Sequence, residues 1–70
     1  MTPEQQATLA QLRRELARLT KASEKACRAR GALPPGSSRA RVTTANARWA
    51  RAAEARDRVQ EMVAKLEATR

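Results

Sequence analysis

The residues that break helices are concentrated near the middle of this 70-residue chain, where Gly31 is followed by Pro34, Pro35 and Gly36. Proline cannot continue a helix and glycine weakens one, so this segment ends any helix that reaches it. The long stretches on either side are built from good helix formers and contain no glycine and no proline apart from Pro3. Strand signals are weak because isoleucine, phenylalanine and tyrosine are all absent. The sequence therefore predicts an all-α protein with a single reversal.

Capping residues indicate where the two predicted helices begin and end. Thr2 and Gln5 stand at the spacing of a capping box, and the proline that follows Thr2 suits the first helical turn. Gly31 suits a left-handed cap at the end of this helix, and Ser38 or the serine before it can cap the second. We expect a single domain over 1–70, with helices over about 3–30 and 38–68 and a turn over about 31–37.

Both predicted helices carry a seam of mostly apolar residues at alternating spacings of three and four, as in coiled coils. The seam of the first helix and turn consists of Leu9, Leu12, Leu16, Leu19, Ser23, Ala26, Arg30 and Leu33. The seam of the second consists of Val42, Ala45, Trp49, Ala52, Arg56, Val59, Val63 and Leu66. Folding the chain back at the turn places Leu12 opposite Val63 and Ala26 opposite Trp49. The sequence predicts a two-helix antiparallel coiled-coil hairpin, roughly 42–46 Å long at 1.5 Å per residue.

The apolar side chains are too short to form a large core. Of 29 apolar residues, 16 are alanine, and a hairpin buries only one stripe of each helix. A narrow strip of apolar side chains flanks the seams at Ala22, Ala29, Ala55 and Met62. We expect this strip to be the interface of a homodimer that forms a four-helix bundle, although a helix of another partner would fit the same surface.

The distribution of charge is the strongest functional signal. The net charge is +8, and from Lys25 to Ala53 there are seven bases and no acid. The rest of the chain has eight bases and seven acids. The hairpin gathers the seven unbalanced charges at its turn end, where a polyanion or an acidic partner would relieve their mutual repulsion. The alternative interpretation is a solvated basic surface that reflects an arginine-rich composition.

We expect a small accessory or regulatory protein that binds nucleic acid, either DNA or RNA, through this end. Arginine neutralises phosphates, and hydroxyl groups and helix N-terminal amides donate hydrogen bonds to phosphate oxygens. The predicted nucleic-acid-binding residues are Arg28, Arg30, Ser38, Arg39, Arg41, Arg48 and Arg51, although capping alone would also explain Ser38. Two other functions fit the same charges: an adaptor that docks on an acidic protein surface, and a structural subunit that completes a larger assembly.

Three single residues have both a structural and a functional interpretation. Trp49 is the only aromatic residue, and its place in the seam favours core packing over stacking on a base. Arg56 lies in the seam opposite Leu19, where we expect its stem to cover the leucine and its head to reach water; the alternative is a polar residue that fixes the register. We expect Cys27 to be a small buried residue or an inert thiol rather than a redox group.

The composition argues against catalysis, metal binding and membrane insertion. The chain has no histidine and one cysteine, and it carries no phosphate loop, zinc spacing or nucleophile–base set. We therefore expect no enzymatic activity, cofactor, metal or small-molecule substrate. The longest apolar run, Met62–Ala64, is far shorter than a membrane span, and the first residues do not resemble a secretory signal. Together with the single cysteine, this favours a soluble cytoplasmic protein without a membrane partner.

Overall fold

The chain forms two long helices joined by a short turn in a computed structural model, which describes residues 1–69. Helix α1 spans Pro3–Gly31 and helix α2 spans Arg39–Ala68, and the described part of the chain contains no strand. The helices pack against each other in a rod of 54 × 14 × 12 Å. The rod is longer than the predicted length of roughly 42–46 Å, because that length counted only the rise of the helices. Both helices begin and end within one residue of their predicted bounds, and the all-α hairpin is confirmed.

Side-chain caps begin both helices, as predicted. The Thr2 hydroxyl accepts a hydrogen bond from the Gln5 backbone N–H at 3.2 Å, and the Gln5 side chain accepts one from the Thr2 N–H at 3.0 Å. The Ser38 hydroxyl accepts from the Arg41 N–H at 3.3 Å. These contacts satisfy backbone donors that have no partner within the helix, so they fix the residue at which each helix begins.

The left-handed backbone in the turn lies at Gly36 rather than at Gly31, so our prediction for Gly31 was wrong. Helix α1 instead ends through Ala32, which stays right-handed (φ −88°, ψ −1°) and donates its N–H to the Arg28 carbonyl at 2.9 Å. The reversal is made by the next residues, where the Ser37 N–H donates to the Pro34 carbonyl at 3.1 Å around a glycine with φ +81°. Proline followed by a left-handed glycine is the type II turn pattern, which leaves Gly31 free to finish the helix.

The predicted seams form the contact between the helices. Of the sixteen seam residues, only Val42 is exposed, at 39%. Leu9 (5% exposed), Val63 (8%) and Ser23 (2%) are buried, and the remaining seam residues are half-buried. Two helices cover each other on one side only, so the seam remains partly open along both edges. Val42 lies at the start of α2, where its predicted partner belongs to the turn rather than to α1.

Two contacts between the helices fix their direction and register. Arg13 near the start of α1 pairs with Glu67 near the end of α2 at 3.0 Å, so the helices are antiparallel. Farther along, the Arg56 guanidinium donates to the Ser23 hydroxyl at 3.3 Å. Ala52 is the residue predicted opposite Ser23, and Arg56 follows it by one helical turn. Because side chains on a helix lean toward its N-terminus, this contact agrees with the predicted register.

We expected the head group of Arg56 to reach water, but its guanidinium is instead held by two neighbouring side chains. One of its nitrogens reaches inward to buried Ser23, and another pairs with the Asp57 carboxylate at 3.0 Å. The Ser23 hydroxyl is thereby satisfied inside an otherwise apolar seam, which avoids the cost of an unpaired buried polar group. This arrangement fits the alternative interpretation, in which a polar layer favours one register over others.

Candidate nucleic-acid interface

The hairpin brings the acid-free segment, residues 25–53, together at its turn end, and we call this part of the molecule the basic turn end. It comprises the last two turns of α1, the turn itself and the first half of α2. Five of the six predicted arginines are exposed: Arg28, Arg39, Arg41, Arg48 and Arg51. Because the turn folds α2 back against α1, residues far apart in sequence contribute to a single positive surface.

None of the ion pairs within residues 1–69 includes a residue of the basic turn end. The pairs are Arg13–Glu67, Arg18–Glu15, Arg56–Asp57, Arg58–Glu54 and Lys65–Glu61. The exposed arginines of the basic turn end thus have no acidic partner in the described part of the chain. Their charges add to one another, which produces a positive potential over this surface.

Arg30 differs from the other arginines of the basic turn end because it lies over the Trp49 ring. Its guanidinium carbon is 4.4 Å from the ring centroid, and both residues are half-buried. This is the geometry of a cation–π interaction. This contact was not predicted, although both residues stand in the seams. Ala45 is the residue predicted opposite Arg30, and Trp49 follows Ala45 by one helical turn. Trp49 packs between the helices, as its seam position predicts, and holds Arg30 in place.

Ser38 lies at the start of α2, where its hydroxyl oxygen caps the helix. No acidic residue occupies the first turn of α2, so the positive end of the helix dipole adds to the charge of Arg39 and Arg41. The hydroxyl oxygen accepts a hydrogen bond from the Arg41 N–H, and the hydroxyl hydrogen remains able to donate to a phosphate oxygen.

A shallow apolar groove of about 380 Å³ opens on one side of the basic turn end. Its apolar lining is Ala26, Ala29, Leu33, Ala40 and Ala45, and its polar lining is Arg41, Thr44 and Arg48. This groove was not predicted, although the alanines in and beside both seams are a sequence signal that indicates such a space. Short side chains between the two backbones leave space that longer ones would fill.

The predicted dimer interface lies on the same side of the hairpin as this groove. Ala29 lines the groove, and Ala22, Ala55 and Met62 occupy the equivalent heptad position along the two helices. Ala55 is half-buried, whereas Ala22, Ala29 and Met62 are exposed, Met62 at 52%. The strip therefore exists as an apolar surface next to the arginines of the basic turn end.

Other chemical groups in the described residues are few. Cys27 is a free, exposed thiol, so of our two interpretations the small buried residue was wrong and the inert thiol stays a prediction. Its position beside the seam is open because residues 1–69 form no third helix that would cover it. Within residues 1–69, no three Cys, Asp or Glu side chains lie together as a metal site would require. Neither helix has a sufficiently long apolar stretch to cross a bilayer.

Comparison with known proteins gives no relative for this chain. No protein-family model matches it, and no curated protein or solved structure is significantly similar.

Proposed function

We propose that this protein is a small non-enzymatic accessory or regulatory protein that binds nucleic acid through its basic turn end. The observation that carries the proposal is the set of exposed arginines without an acidic partner among residues 1–69. Like charges held close together repel one another, and a polyanion relieves this repulsion when it binds. Binding also releases the counterions condensed on the nucleic acid, which provides a large part of the affinity.

The shape of the basic turn end favours contacts to the phosphate backbone over readout of bases. The major groove of B-DNA is about 12 Å wide and admits one helix, which is itself about 10–12 Å across with its side chains. The basic turn end presents two helices side by side, in a rod whose shorter dimensions are 14 and 12 Å. The larger of these two dimensions exceeds the width of the groove, so with its two helices side by side across the groove the rod does not enter it, and we propose contacts to phosphates on its edges and little sequence preference.

The chemistry of the exposed side chains supports the same assignment. Arginine offers a planar fork of donors that matches two phosphate oxygens, and its charge persists at any physiological pH. Arg39 and Arg41 lie in the first turn of α2, where the dipole of the helix also attracts anions. We propose that Arg28, Ser38, Arg48 and Arg51 extend this surface, and that Arg30 contributes charge from its fixed position over Trp49.

We further propose that the chain forms a homodimer through the strip of Ala22, Ala29, Ala55 and Met62, giving a four-helix bundle in the cytoplasm. The support is the small core, in which only Leu9 and Val63 among the large apolar side chains of residues 1–69 are buried. A second hairpin would cover the exposed side of the seam and enlarge the core.

The test is a fluorescence-anisotropy titration of labelled duplex DNA, single-stranded DNA and hairpin RNA at several salt concentrations. If the protein neutralises about four phosphates, the logarithm of the affinity for duplex DNA falls with the logarithm of the salt concentration with a slope of about 3–4. Replacing two contacts through Arg39→Gln and Arg41→Gln is expected to lower this slope by about 2 and to weaken low-salt binding by about tenfold or more. Circular dichroism should show unchanged helicity, since both side chains are exposed.

The matched control removes two positive charges from the other end of the hairpin through Arg58→Gln and Lys65→Gln. Both residues already pair with glutamates, at 4.0 and 3.5 Å, so we expect little loss of affinity. Equal losses in the two double variants would indicate diffuse attraction and overturn the proposed site. If no nucleic acid binds at low salt, the proposal fails, and docking on an acidic protein surface becomes the better explanation of the same arginines.

A further inference from the structure

The apolar groove of the basic turn end and the most exposed large apolar side chain lie on the same side of the hairpin. The groove is lined by Ala29 on α1 and Arg48 on α2, among others. Met62 is 52% exposed and lies nearer the other end of α2. Met62 and Arg48 are fourteen residues apart in α2, or roughly 21 Å at 1.5 Å per residue, so Met62 cannot fill the groove of its own chain.

The spacing of residues along each helix is symmetric about the centre of this face. Ala55 lies seven residues from both Arg48 and Met62 in α2, and Ala22 lies seven residues from both Glu15 and Ala29 in α1. Seven residues are two helical turns, so each of these sets lies along one side of its helix. A two-fold axis that is perpendicular to the length of the hairpin and lies at the height of Ala22 and Ala55 therefore relates two copies in opposite directions. It brings the turn end of this face in one copy to the same height as the open end of this face in the other.

We infer that the partner in the proposed homodimer is an antiparallel second copy whose Met62 fills the apolar groove. The two-fold axis brings the partner's Met62 to the height of Ala29 and Arg48, and the contact occurs twice because the interface is symmetric. Methionine is unbranched and flexible, so it suits an irregular groove lined by alanines. This inference rests on the self-association proposed above, and it places Arg41 and Arg48 at the edge of the dimer interface as well as on the proposed nucleic-acid-binding surface.

The charges of the chain favour this orientation over the parallel one. A parallel pair would place two basic turn ends side by side and double the concentration of unpaired positive charge. The antiparallel pair instead places each basic turn end beside the part of the partner that contains the acids. In particular, the partner's Glu15, which also pairs with Arg18 of its own helix, comes to the height of Arg48. Arg48 lines the groove and has no acidic partner within residues 1–69.

Sedimentation equilibrium tests whether Met62 is part of the interface. We expect the wild-type chain to have twice its monomer mass, and Met62→Lys to raise the dimer dissociation constant at least tenfold, because it puts a charge beside Arg41 and Arg48 of the partner. The control is Ala64→Lys, which adds the same charge at an exposed position on the opposite side of α2 and should leave the dissociation constant unchanged. Equal effects of the two substitutions would overturn the assignment of Met62.

Cross-linking tests the orientation. In a Cys27→Ser background, the variants Ala29→Cys and Met62→Cys are mixed and treated with a short bismaleimide. The antiparallel pair predicts cross-links between the two different variants, whereas a parallel pair predicts cross-links of Ala29→Cys with itself and would overturn the inference. A monomer at high concentration would overturn both the inference and the proposed dimer. A dimer without the mixed cross-link would overturn the orientation alone.

Discussion

The two ends of the hairpin are held together in different ways. The open end, residues 1–24 and 54–69, contains five of the six leucines and two of the three valines of the seams, including the buried Leu9 and Val63. It also contains all the ion pairs of the described residues. In the basic turn end, three of the six seam residues within the helices are alanine, Trp49 is the only half-buried large apolar side chain among them, and the charges are all of one sign. Apolar burial and charge compensation therefore coincide at one end, and both are weak at the other.

This difference shows how a very small protein can carry a surface of uncompensated charge. Clustered like charges oppose the compact state, because folding brings them closer together than they are in the extended chain. The basic turn end offsets little of this with its own packing, since alanine buries little surface. The covalent turn keeps the two helices together there, and the open end provides the apolar contacts that stabilise the pair.

The largest effect should come from shortening a buried side chain of the open end. We expect Leu9→Ala to lower the free energy of unfolding by about 2–3 kcal/mol, because Leu9 is 5% exposed and its removal leaves a cavity. The half-buried Leu33 of the basic turn end serves as the matched control, and Leu33→Ala should cost about 1 kcal/mol, since less of its surface leaves water. Urea denaturation at one protein concentration measures both. Equal losses would contradict the division between the two ends.

A smaller effect on stability, with opposite signs, should distinguish Gly36 in the turn from Gly31 at the end of α1. Gly36 has φ +81°, which costs an L-amino acid about 1–2 kcal/mol, so Gly36→Ala is expected to destabilise the hairpin by that amount. Gly31 lies at the end of α1 with a negative φ and no atom within 4 Å of an added Cβ. Gly31→Ala should therefore stabilise the hairpin by about 0.5–1 kcal/mol. Thermal unfolding of both variants checks the pair, and a loss at Gly31 would show that this glycine has a role that its backbone does not explain.

The helices and their seams could be predicted from the sequence because local rules determine them. Thr2, Gln5 and Ser38 cap the helices through residues three positions apart, and the proline pair fixes the reversal. The choice between Gly31 and Gly36 for the left-handed residue could not be made in this way. Both glycines fit a left-handed position, and only the arrangement of the complete turn decides between them.

The details of the candidate site depend on what surrounds each side chain, which a heptad pattern does not specify. The pattern places Cys27 beside the seam, but its exposure follows from the absence of a third helix in the described fold. It places Arg30 and Trp49 on facing seams without showing that the guanidinium stacks on the ring. The groove likewise depends on the separation of the two backbones at the alanine-rich end, which emerges only when both helices are packed.

The smallest effect, and the one that most directly tests the contrast in charge, concerns stability rather than binding. The charges of the basic turn end repel one another over distances comparable to the Debye length, about 10 Å at 0.1 M salt and about 3 Å at 1 M. Arg39→Gln with Arg41→Gln should therefore raise the free energy of unfolding by about 0.5 kcal/mol at low salt, because it reduces this repulsion and removes cations from the positive end of the α2 dipole.

At the open end, Arg58→Gln with Lys65→Gln should have the opposite sign. These substitutions remove the exposed pairs with Glu54 and Glu61, each of which contributes about 0.3–0.5 kcal/mol in a helix. The difference in the free energy of unfolding between each double variant and the wild-type chain should shrink as sodium chloride is raised toward 1 M. Thermal unfolding at one protein concentration measures both differences. A gain of stability at the open end would contradict the contribution assigned to its ion pairs. A loss at the basic turn end would mean that the arginines there are compensated within the folded chain. The unpaired charge on which the proposed binding depends would then not exist.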